Sequence, residues 1–337
     1  MTRTPSQGEA GKEVVTDGID REQLADALAH LGLGGSAEDA TLLSAPYSGT
    51  QAYLVRREDG DVVLKLAATD APIHARARAL REARFFAELA PLIPVRLPLL
   101  LAASANPLCL LFAAYPAAPP ARAWQPETYQ SFASDLADLH AAYWDDEAAL
   151  ARLDWLRPVE PADSAGAADA ARGQWSELAR LARLADLLTP QVMSTVESLL
   201  AAMPELDAAR QSLPRCLCHG DCHAGNFLVE SVGSASLVWA DWQEVGFGCG
   251  PEELAFFVQR AMTDGAEVPE ATFLGAYHRR LSELVGPIPL ETLARIADAS
   301  ELRTRLLQWP HYLAHLPSAA TALSVRRMSV AAERLGL

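Results

Sequence analysis

The sequence predicts an α+β, bilobal fold in which a small N-terminal antiparallel β-sheet lobe with a helix precedes a larger, mostly helical C-terminal lobe. Short strand-like runs separated by turn signals occur up to residue 115, and amphipathic helical patterns dominate beyond it. Between them stands PAAPP at 116–120, which cannot pair regularly in a sheet. We therefore expect a mobile N-terminal tail at 1–18, an N-terminal lobe at 19–115 and a C-terminal lobe at 116–337.

Turn and periodicity signals define the N-terminal lobe. Asp20 can cap a helix that stops at Gly32–Gly35. Strand-like runs at 41–45, 51–57 and 62–67 follow, with a hairpin signal before the third run. The turn between the first two runs could lay backbone N–H groups over phosphates, although a plain surface hairpin is the more frequent use of such a turn. Its candidate binding residues are Ser48, Gly49 and Thr50.

Lys65 is the most informative residue of this lobe, because its strand is otherwise apolar on both faces. A lysine there needs a partner or a ligand, unless it snorkels to solvent from an edge strand. In the helical pattern at 76–90, Glu82 shares a stripe with Phe85 and Leu89, and a carboxylate on such a stripe favours a buried cation. We expect Lys65 and Glu82 to pair and to orient nucleotide phosphates; the alternative is an unrelated, exposed glutamate.

Helical patterns occupy much of the C-terminal lobe. Gln130–Trp144 is a predicted helix in which His140 lies beside the apolar face, where a core or capping role is favoured over catalysis. Trp175–Leu188 and Gln191–Met203 are also predicted helices. The segment 164–171 between these patterns is expected to be a loop.

A glycine-rich segment at 246–251 is expected to form a flexible loop. The helix that follows has two acids in its first turn, Glu252 and Glu253. There they complement the positive end of the helix dipole, which is a sufficient structural reason for both residues.

The stretch Cys218–Asp241, CHGDCHAGNFLVESVGSASLVWAD, predicts a polar loop, a strand, a turn and a second strand that ends on an acid. An acid, an amide and a second acid on adjoining strand ends suit a magnesium–nucleotide site. Asp221 is the candidate base that would accept or orient the proton of an attacking hydroxyl. Asn226 and Asp241 offer oxygen ligands of the kind that Mg²⁺ prefers. The chemistry would be in-line phosphoryl transfer, helped by positioning and charge neutralisation.

The remaining polar residues of the stretch have structural interpretations. His219 is expected to hold the loop backbone rather than to react, and Gly220 permits a tight turn. A structural zinc site is the alternative for its cysteines and histidines, but the ligand spacing lacks a distant second pair. Cys216 and Cys218 are therefore interpreted as small core residues, and His223 as incidental to the chemistry.

On these residues the chain resembles the aminoglycoside phosphotransferase and choline kinase group, which are small-molecule kinases with a protein-kinase-like fold. The resemblance covers the chain from about Leu42 to about Phe257. Its specific motifs are LADLHAAYW at 136–144, LCHGD at 217–221 with the downstream Asn226, and WADW at 239–242.

The resemblance implies a role for each matching residue. It implies that Asp221 is the catalytic aspartate, and that Asn226 and Asp241 bind Mg²⁺. It also implies that Lys65 contacts the nucleotide phosphates, with Glu82 as its partner. The N-terminal lobe would then bind ATP or GTP, and the C-terminal lobe would catalyse transfer and bind the acceptor.

Two positions depart from the pattern of the family. Glu253 stands where the family commonly has an aspartate, so we expect it to have a structural role at the site. The turn Tyr47–Thr50 contains fewer glycines than the protein-kinase pattern, which weakens the assignment of its residues to phosphate binding.

The leading hypothesis is a kinase that moves the γ-phosphoryl group of ATP or GTP to a hydroxyl of a small polar molecule. An aminoglycoside or another hydroxylated antibiotic leads as acceptor, in resistance or self-resistance, because high Ala, Arg and Leu usage indicates a GC-rich bacterial source. A metabolic kinase for choline, an amino sugar or another sugar is the first alternative. An inactive kinase-like binding module is the second, but such a module has no need to keep all five assigned nucleotide, metal and base residues.

Composition limits the partners and the compartment. A formal net charge of −15 over 337 residues argues against nucleic acid or an anionic membrane as partner and is compatible with a cationic acceptor, although solubility is the favoured explanation of the charge. No apolar run of transmembrane length and no hydrophobic signal segment is present, and five cysteines do not resemble a disulfide framework. We expect a cytoplasmic monomer or homodimer that acts on a small hydroxylated molecule.

Overall fold

The computed structural model describes residues 21–33, 40–44, 50–69, 71–159 and 164–337. The predicted tail at 1–18, the capping residue Asp20 and the turn residues Ser48 and Gly49 lie outside the described residues. The chain divides into two compact units. The first is the described part of Met1–Ala83 with Pro98–Ala114, and the second is Arg84–Leu97 with Tyr115–Leu337.

The first unit is built on a five-stranded sheet in which every neighbouring pair is antiparallel. The strand order is β1-β2-β3-β5-β4, with β1 Ala40–Ser44, β2 Thr50–Val55, β3 Val62–Ala67, β4 Leu100–Ala105 and β5 Leu108–Ala113. In the described part of this unit, the helices α1 Arg21–His30 and α2 Ile73–Arg84 accompany the sheet. The three predicted strand-like runs are thereby confirmed as β1, β2 and β3.

Alternation along β3 decides which side chains face which helix. Leu64 and Leu66 are buried in a cluster with Leu24 and Leu28 of α1. Successive side chains of a strand point to opposite faces, so Lys65 lies on the other face of the sheet. On that face Ala67 packs against Ala79 of α2, which places Lys65 on the same side of the sheet as α2.

The second unit is predominantly helical, and its described residues include five short strands. Its helices are α3 Pro126–Ala141, α4 Glu147–Leu150, α5 Ser164–Ala179, α6 Pro190–Ala201, α7 Met203–Arg210, α8 Gly250–Thr263, α9 Glu270–Val285, α10 Leu290–Leu307, α11 Trp309–Leu313 and α12 Ser318–Leu335. Its strands are β6 Arg157–Pro158, β7 Cys216–Cys218, β8 Phe227–Val229, β9 Leu237–Trp239 and β10 Gly246–Gly248. A sheet of order β6-β10-β7 and a β8–β9 hairpin result, so the protein is α+β as predicted.

An aromatic core fixes the hairpin that carries the candidate site. Phe132 of α3 is fully buried. Its ring centroid lies 5.0 Å from that of Phe227, 5.3 Å from that of Trp239 and 4.5 Å from that of Phe257. These rings belong to α3, β8, β9 and α8, so one aromatic cluster binds the hairpin to two long helices. The position of both hairpin ends is therefore set by core packing.

Two predicted loops have regular structure instead. The segment 164–171 is the first half of α5, because its five alanines favour a helix more strongly than its single glycine opposes one. In the segment 246–251, β10 pairs with both β7 and β6, and α8 begins at Gly250. Pairing on both edges gives the glycine-rich backbone hydrogen bonds that local sequence does not reveal. In the described ranges, no helix is both long and apolar enough to cross a membrane.

Candidate active site

Four short strands, β7 to β10, bring the two ends of the stretch Cys218–Asp241 together. β7 ends at Cys218, and the polar loop and a 3₁₀ turn at Ala224–Asn226 lead into β8. The chain returns through β9 to Asp241 and pairs β10 with β7, where Gly246 lies opposite Cys218. The Ala240 amide donates to the Asn226 carbonyl at 3.0 Å, which joins the start of β8 to the end of β9.

Asn226 fixes the candidate base. Its side-chain amide nitrogen donates to the Asp221 backbone carbonyl at 2.8 Å and to Asp221 Oδ2 at 3.1 Å. The amide nitrogen thereby uses its donors within the loop, which leaves the amide oxygen as the atom that can accept a hydrogen bond or coordinate a cation. Asp221 is 38% exposed at its side chain, so its carboxylate can reach a substrate while the loop holds it.

The charge state of Asp221 follows from opposing effects. Burial favours the neutral acid, but hydrogen bonding to His223, the nearby His219 and the Asn226 amide together lower the pKa of Asp221 below its ordinary value. Asp221 is therefore a carboxylate at neutral pH. In this state it can accept a proton or a hydrogen bond from a hydroxyl group.

His219 connects the loop to the end of β9. Its Nδ1 accepts a hydrogen bond from the Asp221 amide at 3.3 Å, so Nε2 carries the proton and donates to the Ala240 carbonyl at 3.0 Å. Its ring also lies 4.6 Å from that of Trp242. Both ring nitrogens are used in holding backbone.

Asp241 adopts the left-handed conformation, with φ 65° and ψ 60°. A non-glycine residue in this region costs about 1–3 kcal/mol and persists only where the surroundings enforce it. Here Trp242 provides that enforcement, because its indole N–H donates to the Trp239 carbonyl at 2.9 Å and its ring stacks on Phe85 at 4.1 Å. The left-handed residue turns the chain out of the direction of β9 into the 3₁₀ turn Trp242–Glu244.

The side-chain carboxylate of Glu253 binds two backbone amides at the start of the loop. Its Oε2 accepts from the His219 amide at 2.9 Å and its Oε1 accepts from the Gly220 amide at 2.7 Å. His140 Nε2 lies 3.1 Å from the same Oε2, and His140 Nδ1 lies 2.8 Å from the Tyr277 hydroxyl. His140 is fully buried in this arrangement. The acid at the first turn of α8 thus does far more than complement a helix dipole.

Gly220 is required by the close approach of the loop to the turn after β9. It has φ 85°, and a Cβ atom at this position would lie 2.0 Å from the Glu244 carbonyl oxygen. Any side chain would push the two segments apart. The glycine therefore permits the close approach of the loop to Glu244.

In the first unit, Lys65 and Glu82 form a close ion pair. Lys65 Nζ lies 2.6 Å from Glu82 Oε1, and the two side chains are 15% and 2% exposed. Thr50 stands at the first position of β2, opposite Ala67, and is buried. The predicted ion pair between Lys65 and Glu82 is thus present.

Two of the residues considered as zinc ligands, Cys216 and Cys218, lie in the core beside His140. His140, Cys216 and Cys218 place ligand atoms within 4.8 Å of one another. However, both nitrogens of His140 are engaged by Glu253 and Tyr277, and the two sulfur atoms, 4.0 Å apart, are fully buried. Core packing accounts for all three residues.

The sequence interpretation missed the contact made by His223. Its Nε2 lies 3.5 Å from Asp221 Oδ2. A histidine two residues after the candidate base was the available signal, because a loop that turns back on itself brings such neighbours together. His223 is therefore not incidental to the geometry of Asp221.

The chain belongs to the phosphotransferase enzyme family, whose model matches residues 39–288. It is accordingly a small-molecule phosphotransferase, and the predicted resemblance to this family is confirmed. No curated protein sequence matches the chain significantly.

Several solved structures align with nearly the whole chain at low sequence identity. A microcompartment-associated aminopropanol kinase is 16% identical, with a TM-score of 0.58 and coverage of 93% of this chain and 96% of its own. Aminoglycoside 2'-phosphotransferase-IIIa in its GDP complex is 12% identical, with a TM-score of 0.59 and coverage of 93% and 98%. A choline kinase from Streptococcus pneumoniae is 14% identical, with a TM-score of 0.54 and coverage of 94% and 98%. These similarities establish the predicted protein-kinase-like fold.

The contacts of Glu253 predict a pH-dependent contribution to stability. Burial favours its neutral form, but the hydrogen bond to His140, the nearby His219 and the Gly220 amide lower the pKa of Glu253 overall. A lowered pKa in the folded state stabilises the fold above the unfolded pKa of about 4.3, and that contribution is lost as pH falls through the folded value. Glu253→Gln leaves one backbone N–H facing an amide NH₂, so it should lower the free energy of unfolding at pH 7 by about 2 kcal/mol.

Urea unfolding between pH 7 and pH 3 measures this difference, with the exposed Glu267→Gln as the control. Because Glu253 also raises the pKa of His140, the gap between wild type and Glu253→Gln should be fully present near pH 5, and it should shrink below about pH 4.3 as Glu253 is protonated. A gap at pH 3 as large as the gap at pH 5 would contradict the assignment of Glu253 as a buried carboxylate.

Proposed function

We propose that the protein is a Mg²⁺-dependent phosphotransferase that moves the γ-phosphoryl group of ATP or GTP to a hydroxyl of a small polar molecule. An aminoglycoside or another hydroxylated antibiotic is the leading acceptor class, in a resistance or self-resistance role. The proposal assigns nucleotide binding to residues 19–115 and catalysis and acceptor binding to residues 116–337. We place the reaction in the cytoplasm, where nucleoside triphosphates are available.

The observation that carries the proposal is the arrangement of Asp221. Its carboxylate is ionised, partly exposed and held at Oδ2 by Asn226. Among the described residues, no donor reaches Oδ1, which leaves one oxygen for a substrate hydroxyl. A base in this state can orient an attacking hydroxyl and accept its proton as the bond to phosphorus forms.

The donor set at the two hairpin ends fits magnesium. The Asn226 amide nitrogen is committed to Asp221, so its oxygen is the atom that can coordinate a cation. Asp241 would add a carboxylate oxygen, and such hard oxygen ligands are those that Mg²⁺ prefers. When bound, Mg²⁺ would neutralise charge on the nucleotide phosphates. The strained backbone of Asp241 supports this role, because strain of this kind clusters at functional sites.

Lys65 and Glu82 are proposed to serve the nucleotide. Glu82 holds the ammonium of Lys65 in place on its face of the sheet. A point charge held in this way can orient phosphate oxygens. Thr50 is proposed to contribute at the start of β2, together with Ser48 and Gly49, and His219, Gly220 and Glu253 are proposed to support the site structurally.

The acceptor class is proposed from charge and from similar proteins. The net charge of −15 favours a cationic acceptor over an anionic one. The similar structures named above are kinases of aminopropanol, an aminoglycoside and choline, and each of these acceptors combines a hydroxyl with an amino or ammonium group. An antibiotic that carries both groups is therefore the first acceptor to test.

The test is to incubate the protein with Mg²⁺ and ATP or GTP and a panel of aminoglycosides, other hydroxylated antibiotics, amino alcohols, choline and sugars. Mass spectrometry should detect one added phosphoryl group, about 80 Da, on an acceptor hydroxyl. Omission of Mg²⁺ should abolish transfer. If no acceptor is modified, and nucleotide binds without any dependence on Mg²⁺, the proposal fails in favour of a binding module. Resistance conferred on a sensitive bacterium would favour an antibiotic over a metabolite.

Asp221→Asn should lower turnover by a factor of at least about 10², because the amide cannot accept the hydroxyl proton. Folding and nucleotide affinity should be preserved, since the amide oxygen can still accept from Asn226. Steady-state kinetics and nucleotide titration measure both quantities, with the exposed Asp264→Asn as the matched control. Unchanged turnover in Asp221→Asn would remove Asp221 from its proposed role.

A further inference from the structure

His223 makes two contacts that together fix the orientation of its ring. Its Nδ1 accepts a hydrogen bond from the Gly225 amide at 3.1 Å. Its Nε2 lies 3.5 Å from Asp221 Oδ2. The side chain is 21% exposed, so one edge of the ring is covered by its own loop.

The first contact decides the chemistry of the second. Because Nδ1 accepts a hydrogen bond, the neutral ring carries its proton on Nε2. Nε2 therefore faces Asp221 as a donor. The separation of 3.5 Å is long for a hydrogen bond, as catalytic contacts often are before substrates bind.

Gly225 leaves the space that the ring occupies. A Cβ atom at position 225 would lie 2.9 Å from His223 Cε1 and 3.1 Å from Nδ1. The ring therefore packs directly against the backbone of the 3₁₀ turn Ala224–Asn226. This packing fixes the imidazole relative to Asn226, which also contacts Asp221.

The two donors converge on one oxygen of Asp221. Asn226 Nδ2 lies 3.1 Å from Oδ2, and His223 Nε2 lies 3.5 Å from the same atom. Within the described ranges, Oδ1 receives no hydrogen bond. We propose that His223 is a positioning residue for phosphoryl transfer, which with Asn226 fixes Oδ2 so that Oδ1 alone is presented to the acceptor hydroxyl. This inference rests on the proposed function.

Two substitutions separate the contact with Asp221 from the contact with Gly225. Asparagine at position 223 can accept from the Gly225 amide in an Asx turn, but it is too short to reach Asp221. Glutamine can place its amide nitrogen near the position of Nε2 and so keep a donor for Asp221. The matched control is His278→Asn, because His278 contacts a backbone carbonyl, that of Ile288, at 2.7 Å and is distant in sequence from the loop.

His223→Asn should lower kcat about tenfold while the KM for ATP stays within about twofold, because orientation of the base is lost and nucleotide binding is not. His223→Gln should keep kcat within about threefold of wild type, and thermal unfolding should show all three variants folded. Wild-type kcat in His223→Asn would overturn the proposal. Equal losses in the Asn and Gln variants would also overturn it, because they would assign His223 only the structural contact with Gly225.

A second measurement does not depend on turnover. Long-range ¹H–¹⁵N NMR spectra of the wild-type protein should show His223 as the Nε2–H tautomer, and Asp221→Asn should shift the Nε2 resonance. A proton on Nδ1, or no change in Asp221→Asn, would overturn the proposal. If the wild-type protein transferred no phosphoryl group to any acceptor, the proposed function would fail, and these spectra would still decide whether His223 contacts Asp221 as inferred.

Discussion

The site depends on one carboxylate that accepts two consecutive backbone amides. Glu253, in the first turn of α8, receives the N–H groups of His219 and Gly220 and also contacts the buried His140. Adjacent amides can converge on one carboxylate only where the backbone curves sharply, and the left-handed Gly220 provides that curve. The residue that follows is Asp221. The hydrogen bonds of Glu253 to His219 and Gly220 therefore help to set the position of the proposed base.

The N-terminal end of α8 is itself held by a second set of buried charges. Glu252 accepts from Arg210 of α7 and lies 3.9 Å from Arg303 of α10, and both arginines also contact Asp207. Two cations and two anions balance, which limits the cost of burying them. Because Glu252 and Glu253 are neighbours, the helices α7 and α10 are coupled through α8 to the loop that carries Asp221. Packing that is remote from Asp221 therefore contributes to its orientation.

Local sequence was sufficient to predict the parts of the site that lie close together in the chain. Asp221, Asn226 and Asp241 stand out because a loop and a hairpin necessarily return them to one region, and the contact of Ala240 with Asn226 bears out that geometry. Lys65 and Glu82 could be paired because each is a charge on an otherwise apolar pattern. The α+β fold followed from strand and helix periodicities. β10 was missed because its stability comes from pairing with β6 and β7, which no local pattern of glycines encodes.

The contact between Glu253 and His140 could not be predicted for a related reason, since 113 residues separate the two side chains in the sequence.

The most direct test of the account is amide hydrogen exchange at His219 and Gly220 in wild type and in Glu253→Gln, followed together with turnover. The account predicts that at least one of these amides exchanges about tenfold faster or more in the variant, and that kcat falls with it. Unchanged protection of both amides, or full turnover despite lost protection, would contradict the claim that Glu253 positions the loop that presents Asp221.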